Sequence, residues 1–140
     1  MLFPSLIVEM HYMLGLTVFV LVWLRLFARS LGVAPKIVPA PPQWQSLLAT
    51  LMHIALYALM IGMPIAGWLI VSAQGHSVMF YGIELPPLIG ENKDLSKQIK
   101  EWHELGGAIG YWLIGLHAAA GLYHHYFMRD NTVLRMIPKR

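Results

Sequence analysis

The chain has 140 residues, 57% hydrophobic and 12% charged, with a formal net charge of +3. Soluble domains carry roughly 25% charged residues, so this composition excludes an ordinary soluble globule and points to a membrane protein. No cysteine occurs, which rules out a disulfide framework, an iron–sulfur cluster and a thiolate zinc site, and leaves nitrogen and oxygen to hold any metal.

The amino terminus, MLFPSLIVEM, has neither the basic region nor the small-residue cleavage site of a signal peptide, so insertion must rely on the helices themselves. A first membrane span is expected over about residues 8–28, containing His11 and Arg25. Pro35, Pro39, Pro41 and Pro42 then exclude regular structure and mark an extended connection. The second span covers 47–73, carries His53, and contains Pro64 near Gly62 and Gly67, where a kink is expected. A longer polar connection follows, with Pro86-Pro87 and an amphipathic lead into a third span over 104–128 that carries His117, His124 and His125. Apolar runs this long cross a hydrocarbon core only as helices, and they lack the alternation of a membrane barrel. The expected fold is all-α, a transmembrane helical bundle forming a single domain over 1–140.

Charge sorts across this arrangement. Arg25, Arg29, Lys36, Arg129, Arg135, Lys139 and Arg140 fall on one side, opposed by Asp130. The other side sets Lys93, Lys97 and Lys100 against Glu9, Glu84, Glu91, Asp94, Glu101 and Glu104. By the positive-inside rule the proline-rich connection and the carboxy terminus are cytoplasmic, while the amino terminus and the long second connection face outward. The basic residues form no aromatic-interleaved patch, so no nucleic-acid partner is expected; lipid is the surroundings.

Seven histidines in so apolar a chain require an explanation, because each imidazole in lipid costs free energy without a partner. His103, Gly110, His117 and His124 are spaced by sevens, and each step of seven drifts only about 20° on a helix, so they form one stripe. His103 and His117 lie about 21 Å apart along it at 1.5 Å per residue. His11 opens the first span at the depth of His103, and two imidazoles facing each other from antiparallel helices suit a b-type haem with both axial positions filled. Gly110 lets a bulky group approach the backbone. Arg25, fourteen residues beyond His11, is placed to pair with a haem propionate, although an interfacial anchor is the favoured account of it. A lone histidine such as His53 or His125 is often only an interhelical hydrogen-bond partner, and Gly106, Gly110, Gly115 and Gly121 together suit helix packing. Zinc is a weaker rival, since neither depth shows a third ligand.

The segment KEWHELGGAIGYWLIGLHAAAGLYHHYFMRDNTVLRMIPKR, with EMHY around His11 and MHIALY around His53, resembles the bacterial cytochrome b561 family, close to its four-helix superoxide oxidase members. The resemblance covers nearly the whole chain. It implies two b haems, electron transfer, and, for the oxidase members, electrons passing from superoxide to ubiquinone, a superoxide:ubiquinone oxidoreductase activity. Carried over, His11 and His103 hold an outer haem, and His117 holds an inner one whose second ligand comes from a helix preceding those seen here. Three explanations fit that orphan: truncation at the amino terminus, which is favoured; His53 as substitute ligand; or a one-haem protein. His124, His53 and Trp112 are candidates for a quinone contact, with packing and a hydrogen bond as the simpler account. The competing functions are a non-catalytic haem-bearing anchor subunit of a respiratory dehydrogenase or hydrogenase, and a haem-free remnant.

Overall fold

The computed structural model describes residues 3–137; Pro138, Lys139 and Arg140 lie outside them, including two of the charges that sorted the topology. Three long helices carry the fold: α1 (Phe3–Ser30), α2 (Gln43–Ala73) and α3 (Lys93–Tyr123). Each is long and apolar enough to cross a membrane, as the composition requires. α1 and α2 extend beyond their expected spans, whereas α3 begins eleven residues before its expected start at 104 and gives way to a π turn at His124, short of the expected end at 128. The amphipathic lead from Lys93 is the first part of α3 itself. Pro64 lies inside a continuous α2.

The helix ends follow from local chemistry. Asn92 caps α3, its side chain accepting from the Leu95 N–H at 3.0 Å, and Asp94 in the first turn meets the positive end of the helix dipole. At the end of α2, Gly75 adopts φ +77°. Its N–H donates to Ser72 O and that of His76 to Val71 O, a pairing that satisfies the last carbonyls and requires a left-handed residue at Gly75.

The polar connection between α2 and α3 contains a feature not expected from the sequence, an antiparallel hairpin of β1 (Val78–Phe80) and β2 (Ile83–Leu85). Tyr81 and Gly82, at φ 47° and 84°, form its two-residue turn, and positive φ at both central positions matches the strand twist. The hairpin docks on α1: Val78 packs with Leu16 and Val71, and the Tyr81 hydroxyl lies 3.1 Å from Thr17 Oγ1. Nearby, Trp68 donates to Pro86 O, Leu88 N–H to Ser72 Oγ, and Ser96 Oγ to Ile70 O, each at 3.1 Å.

α2 is the central helix. It packs on both α1 and α3, whereas no α-carbon of α1 comes within 8 Å of one in α3. The α2–α3 seam is close because glycines line it. A Cβ on Gly106 would lie 2.6 Å from Met63 Sδ, and one on Gly110 would lie 2.9 Å from Leu59 Cδ2. Lipid is as apolar as leucine, so such small-residue contact, and not burial from water, holds membrane helices together.

Beyond Tyr123 the chain makes a π-helical turn over His124–Met128 and leaves it through Arg129 at φ 51°. This segment is latched to the proline-rich connection. Asn131 Oδ1 accepts from the Val38 N–H at 2.9 Å, its Nδ2 donates to Lys36 O at 3.4 Å, and its backbone N–H donates to Val38 O at 3.3 Å. Asn131→Ala removes the two side-chain bonds, a loss of about 1 kcal/mol locally. Proteolytic cleavage of the 31–42 connection in detergent-solubilised protein should then quicken by roughly fivefold; an unchanged rate would dismiss the latch.

Candidate functional site

The histidine stripe of α3 meets a different partner at each level. His103 faces His11 of α1, with ring centroids 5.9 Å apart and planes at 81°. Gly110 is buried against Leu59 of α2. His117 faces His53 of α2, with centroids 5.6 Å apart and planes at 71°. His124 meets Asp130, Nδ1 to Oδ2 at 2.5 Å.

The His11–His103 pair bridges the gap between α1 and α3. It borders a cavity of about 320 Å³, lined also by Gly15, Gly67, Gly106 and Gly110. Gly67 faces His103, whose Cε1 would lie in ordinary van der Waals contact, 3.5 Å, with a Cβ at that position. His103 Nδ1 is buried with no hydrogen-bond partner, so the ring occupies an apolar site at a cost that packing alone does not offset. Two imidazoles on opposite sides of one metal, each bonded at about 2 Å, have centroids about 6 Å apart, and the pair falls close to that separation. Among the described residues no three His, Asp or Glu side chains converge. Two imidazoles bordering one small-residue cavity are a set that a haem takes, and the residues fit that group.

Arg25 lies on α1 fourteen residues beyond His11 and donates from Nε to the Tyr57 hydroxyl at 3.3 Å. Tyr57 stands one turn beyond His53 on α2. A guanidinium, a phenol and an imidazole pair therefore share one level.

The three quinone candidates are not brought together. His53 belongs to the pair with His117, His124 to the contact with Asp130, and Trp112 is 83% exposed on α3. Sequence reasoning counted Asp130 only as a stray negative charge. In the structure it is 6% exposed, accepting from the Thr132 N–H at 2.9 Å as well as meeting His124. Burial pushes its carboxyl up, but hydrogen bonds from Thr132 and His124 outweigh that and hold it below the usual carboxylate range. An ionised carboxylate only accepts, so Nδ1 of His124 carries the hydrogen and Nε2 is free to exchange a proton. The signal was the Asp-Asn-Thr run just past the last helical turn, where short polar side chains fold back on the backbone.

At the other end of the bundle a polar cavity of about 670 Å³ is bordered by His76, Lys93, Lys97 and Lys100. Exposed contacts of 3.5 Å from Lys93 to Glu91 and 3.7 Å from Lys100 to Glu104 partly balance it.

Residues 1–139 match the family model described as prokaryotic cytochrome b561. The chain is 42% identical over 132 residues to cytochrome b561 homolog 1 of Escherichia coli (strain K12), covering 94% of this chain and 75% of that protein. It is 38% identical over 130 residues to the probable superoxide oxidase CybB of Yersinia pestis, covering 93% and 74% respectively. It is 27% identical over 139 residues to cytochrome b561 homolog 2 of Escherichia coli (strain K12), covering 94% and 70%.

The depressed carboxyl of Asp130 is linked to stability. Its contribution is present above the carboxylate pKa of the unfolded chain and is lost as pH falls through the lower folded value. Thermal unfolding recorded from neutral to acid pH should show that acid limb in the wild type and a flatter one in Asp130→Asn. Identical limbs would show that the carboxylate contributes nothing.

Proposed function

The chain belongs to the prokaryotic cytochrome b561 family, and from that premise we propose that His11 and His103 hold haem b between them and that the protein oxidises superoxide and reduces ubiquinone. As a family member it is a membrane b-type cytochrome that transfers electrons. The observation that carries the site is the pair of imidazoles facing each other across the gap between α1 and α3, 5.9 Å apart at an apolar, glycine-lined cavity.

Haem b bound there supplies a one-electron iron couple. His11 and His103 would hold the group through their two imidazoles, an arrangement suited to electron transfer. Gly110 borders the same cavity, although its own α-carbon is covered by Leu59 of α2. Overall, two superoxide anions each lose one electron and leave as O2, while ubiquinone gains two electrons and two protons to become ubiquinol.

The chain's own groups serve the two ends. Lys93, Lys97 and Lys100 offer cationic charge to a small anion at the His11 end, opposed by the carboxylates of Glu9, Glu84, Glu91, Asp94, Glu101 and Glu104 on the same side. At the other end His124, fixed through Nδ1 by Asp130, keeps Nε2 for a proton on its way to the quinone. Arg25 and Tyr57 suit a propionate at that level. The sidedness we propose puts the hairpin end outward and the carboxy-terminal segment in the cytoplasm of a bacterial inner membrane, supported by Arg25, Arg29, Lys36, Arg129 and Arg135 gathering at one end. The relative described as a probable superoxide oxidase supports the choice of donor.

A reduced-minus-oxidised spectrum of the purified protein should show a bis-imidazole b-type band, and His11→Ala or His103→Ala should each remove one haem per chain. Retention of that haem in both variants would sink the assignment. Superoxide mixed with the haem-loaded protein and ubiquinone should give quinol faster than superoxide alone does. No acceleration would make the protein an electron-carrying anchor.

A further inference from the structure

The carboxy-terminal end of the bundle carries more positive charge than the chain itself balances. We propose that Arg25 and Arg29 hold the phosphate of an anionic phospholipid at the seam between α1 and α2, a lipid site that goes beyond the electron-transfer reading and stands without it.

Three observations carry it. The first is a missing counter-charge. Arg25, Arg29, Lys36, Arg129 and Arg135 gather at this end, and Asp130 is the one acid there among the described residues. It is buried and already engaged by His124 and Thr132. None of the five cations forms an ion pair with a described carboxylate, and Arg135 Nε is buried without an acceptor. The second is that two of these cations are held together. Arg25 and Arg29 stand one turn apart on α1, where like charges repel, yet Arg25 Nε donates to Tyr57 Oη at 3.3 Å and Arg29 approaches the same hydroxyl. The phenol fixes both guanidinium groups and neutralises neither, so an anion from outside the chain completes the pair. A guanidinium has several N–H groups, and those of Arg25 not used by Tyr57 serve a propionate and a phosphate together.

The third observation selects a lipid over a free phosphate ion. Leu14, Leu21, Arg25 and Arg29 follow one another by steps of seven, four and four, so they share one face of α1, and all four are exposed. An apolar track that ends in two cations matches an acyl chain that ends in a phosphate, and basic pockets between helices at the cytoplasmic face of a membrane take such headgroups. A free phosphate would gain nothing from the leucines.

The competing account is diffuse attraction of basic residues to an anionic leaflet, in which Arg29 and Lys36 count alike. Native mass spectrometry of the whole chain, purified in detergent and loaded with haemin, separates the two. Given phosphatidylglycerol, the wild type should retain one lipid per chain, and Arg29→Gln should bind it roughly tenfold more weakly, the loss of one charge-assisted contact. Lys36→Gln, the same change of charge at an exposed position off the track, should bind as the wild type does. Phosphatidylcholine should compete poorly, excess inorganic phosphate should not displace the lipid, and haem content should be equal in the wild type and Arg29→Gln.

Equal weakening in Arg29→Gln and Lys36→Gln would overturn the site in favour of diffuse attraction. Displacement by inorganic phosphate would make it an anion site without a lipid, and loss of haem along with lipid in Arg29→Gln would assign the arginine to a propionate; either result overturns the proposal. A wild type that takes up no haem and still retains the lipid would end the haem reading and leave this one standing.

Discussion

An imidazole nitrogen in hydrocarbon must find a partner, and α3 carries three such rings on one line. That constraint organises the bundle. Water cannot satisfy the rings, and the surrounding lipid rewards no apolar burial, so the helices gain little from contact except where backbones come close or polar groups pair. α2 answers both needs. Through Leu59 and Met63 it fits the glycines of α3, and through His53 it meets the ring of His117. α1 touches α2 but stays beyond 8 Å from α3, and His11 and His103 span the interval that remains.

With no α-carbon of α1 within 8 Å of one in α3, more than the His11–His103 contact is needed to fix their relative register. The two ends of the bundle do this. At one end the hairpin lies on α1 through Val78 and Tyr81, while Ser96 and Asn92 tie the start of α3 to the end of α2. At the other, Asn131 ties the segment after α3 to the connection after α1. A slot held from its ends stays open between the histidines without being filled by side chains. On the proposed reading that is the preorganisation a planar cofactor needs, since the cost of spacing the two imidazoles is met in folding.

Much of this was legible in the residues. Helix count and type followed from apolar run length alone, and the spacing by sevens put His103, Gly110, His117 and His124 on one face of α3. What sequence could not supply was partner identity across helices. Periodicity fixes a residue's face on its own helix but says nothing of which neighbour that face meets. His53 was therefore open between ligand, quinone contact and hydrogen-bond partner until the structure set it opposite His117. The hairpin escaped because its strands are three residues each, too short for an alternating pattern, and its turn used Tyr81-Gly82 in place of the Asn-Gly signal. Asp130 escaped because its role depends on a backbone reversal that propensity does not foresee.

That reversal gives the carboxy-terminal segment its chemistry. Had α3 continued regularly past Tyr123, the residues after His124 would have been carried along the axis and away from it. Instead a π-helical turn widens the backbone, Arg129 takes a left-handed conformation, and Asp130 returns to the side chain of His124 six residues earlier. π turns are uncommon and concentrate where function repays the poorer backbone geometry. Here the return is a histidine whose Nδ1 is committed to a carboxylate and whose Nε2 is left uncommitted, half-buried one heptad beyond His117. The stripe therefore changes character along its length: its first two imidazoles meet other imidazoles, a pairing suited to a metal and hence to electrons, whereas the last meets an acid, a pairing suited to protons. A quinone requires both, and on the proposed reading the order of partners along α3 is what brings electrons and protons to the same end of the bundle.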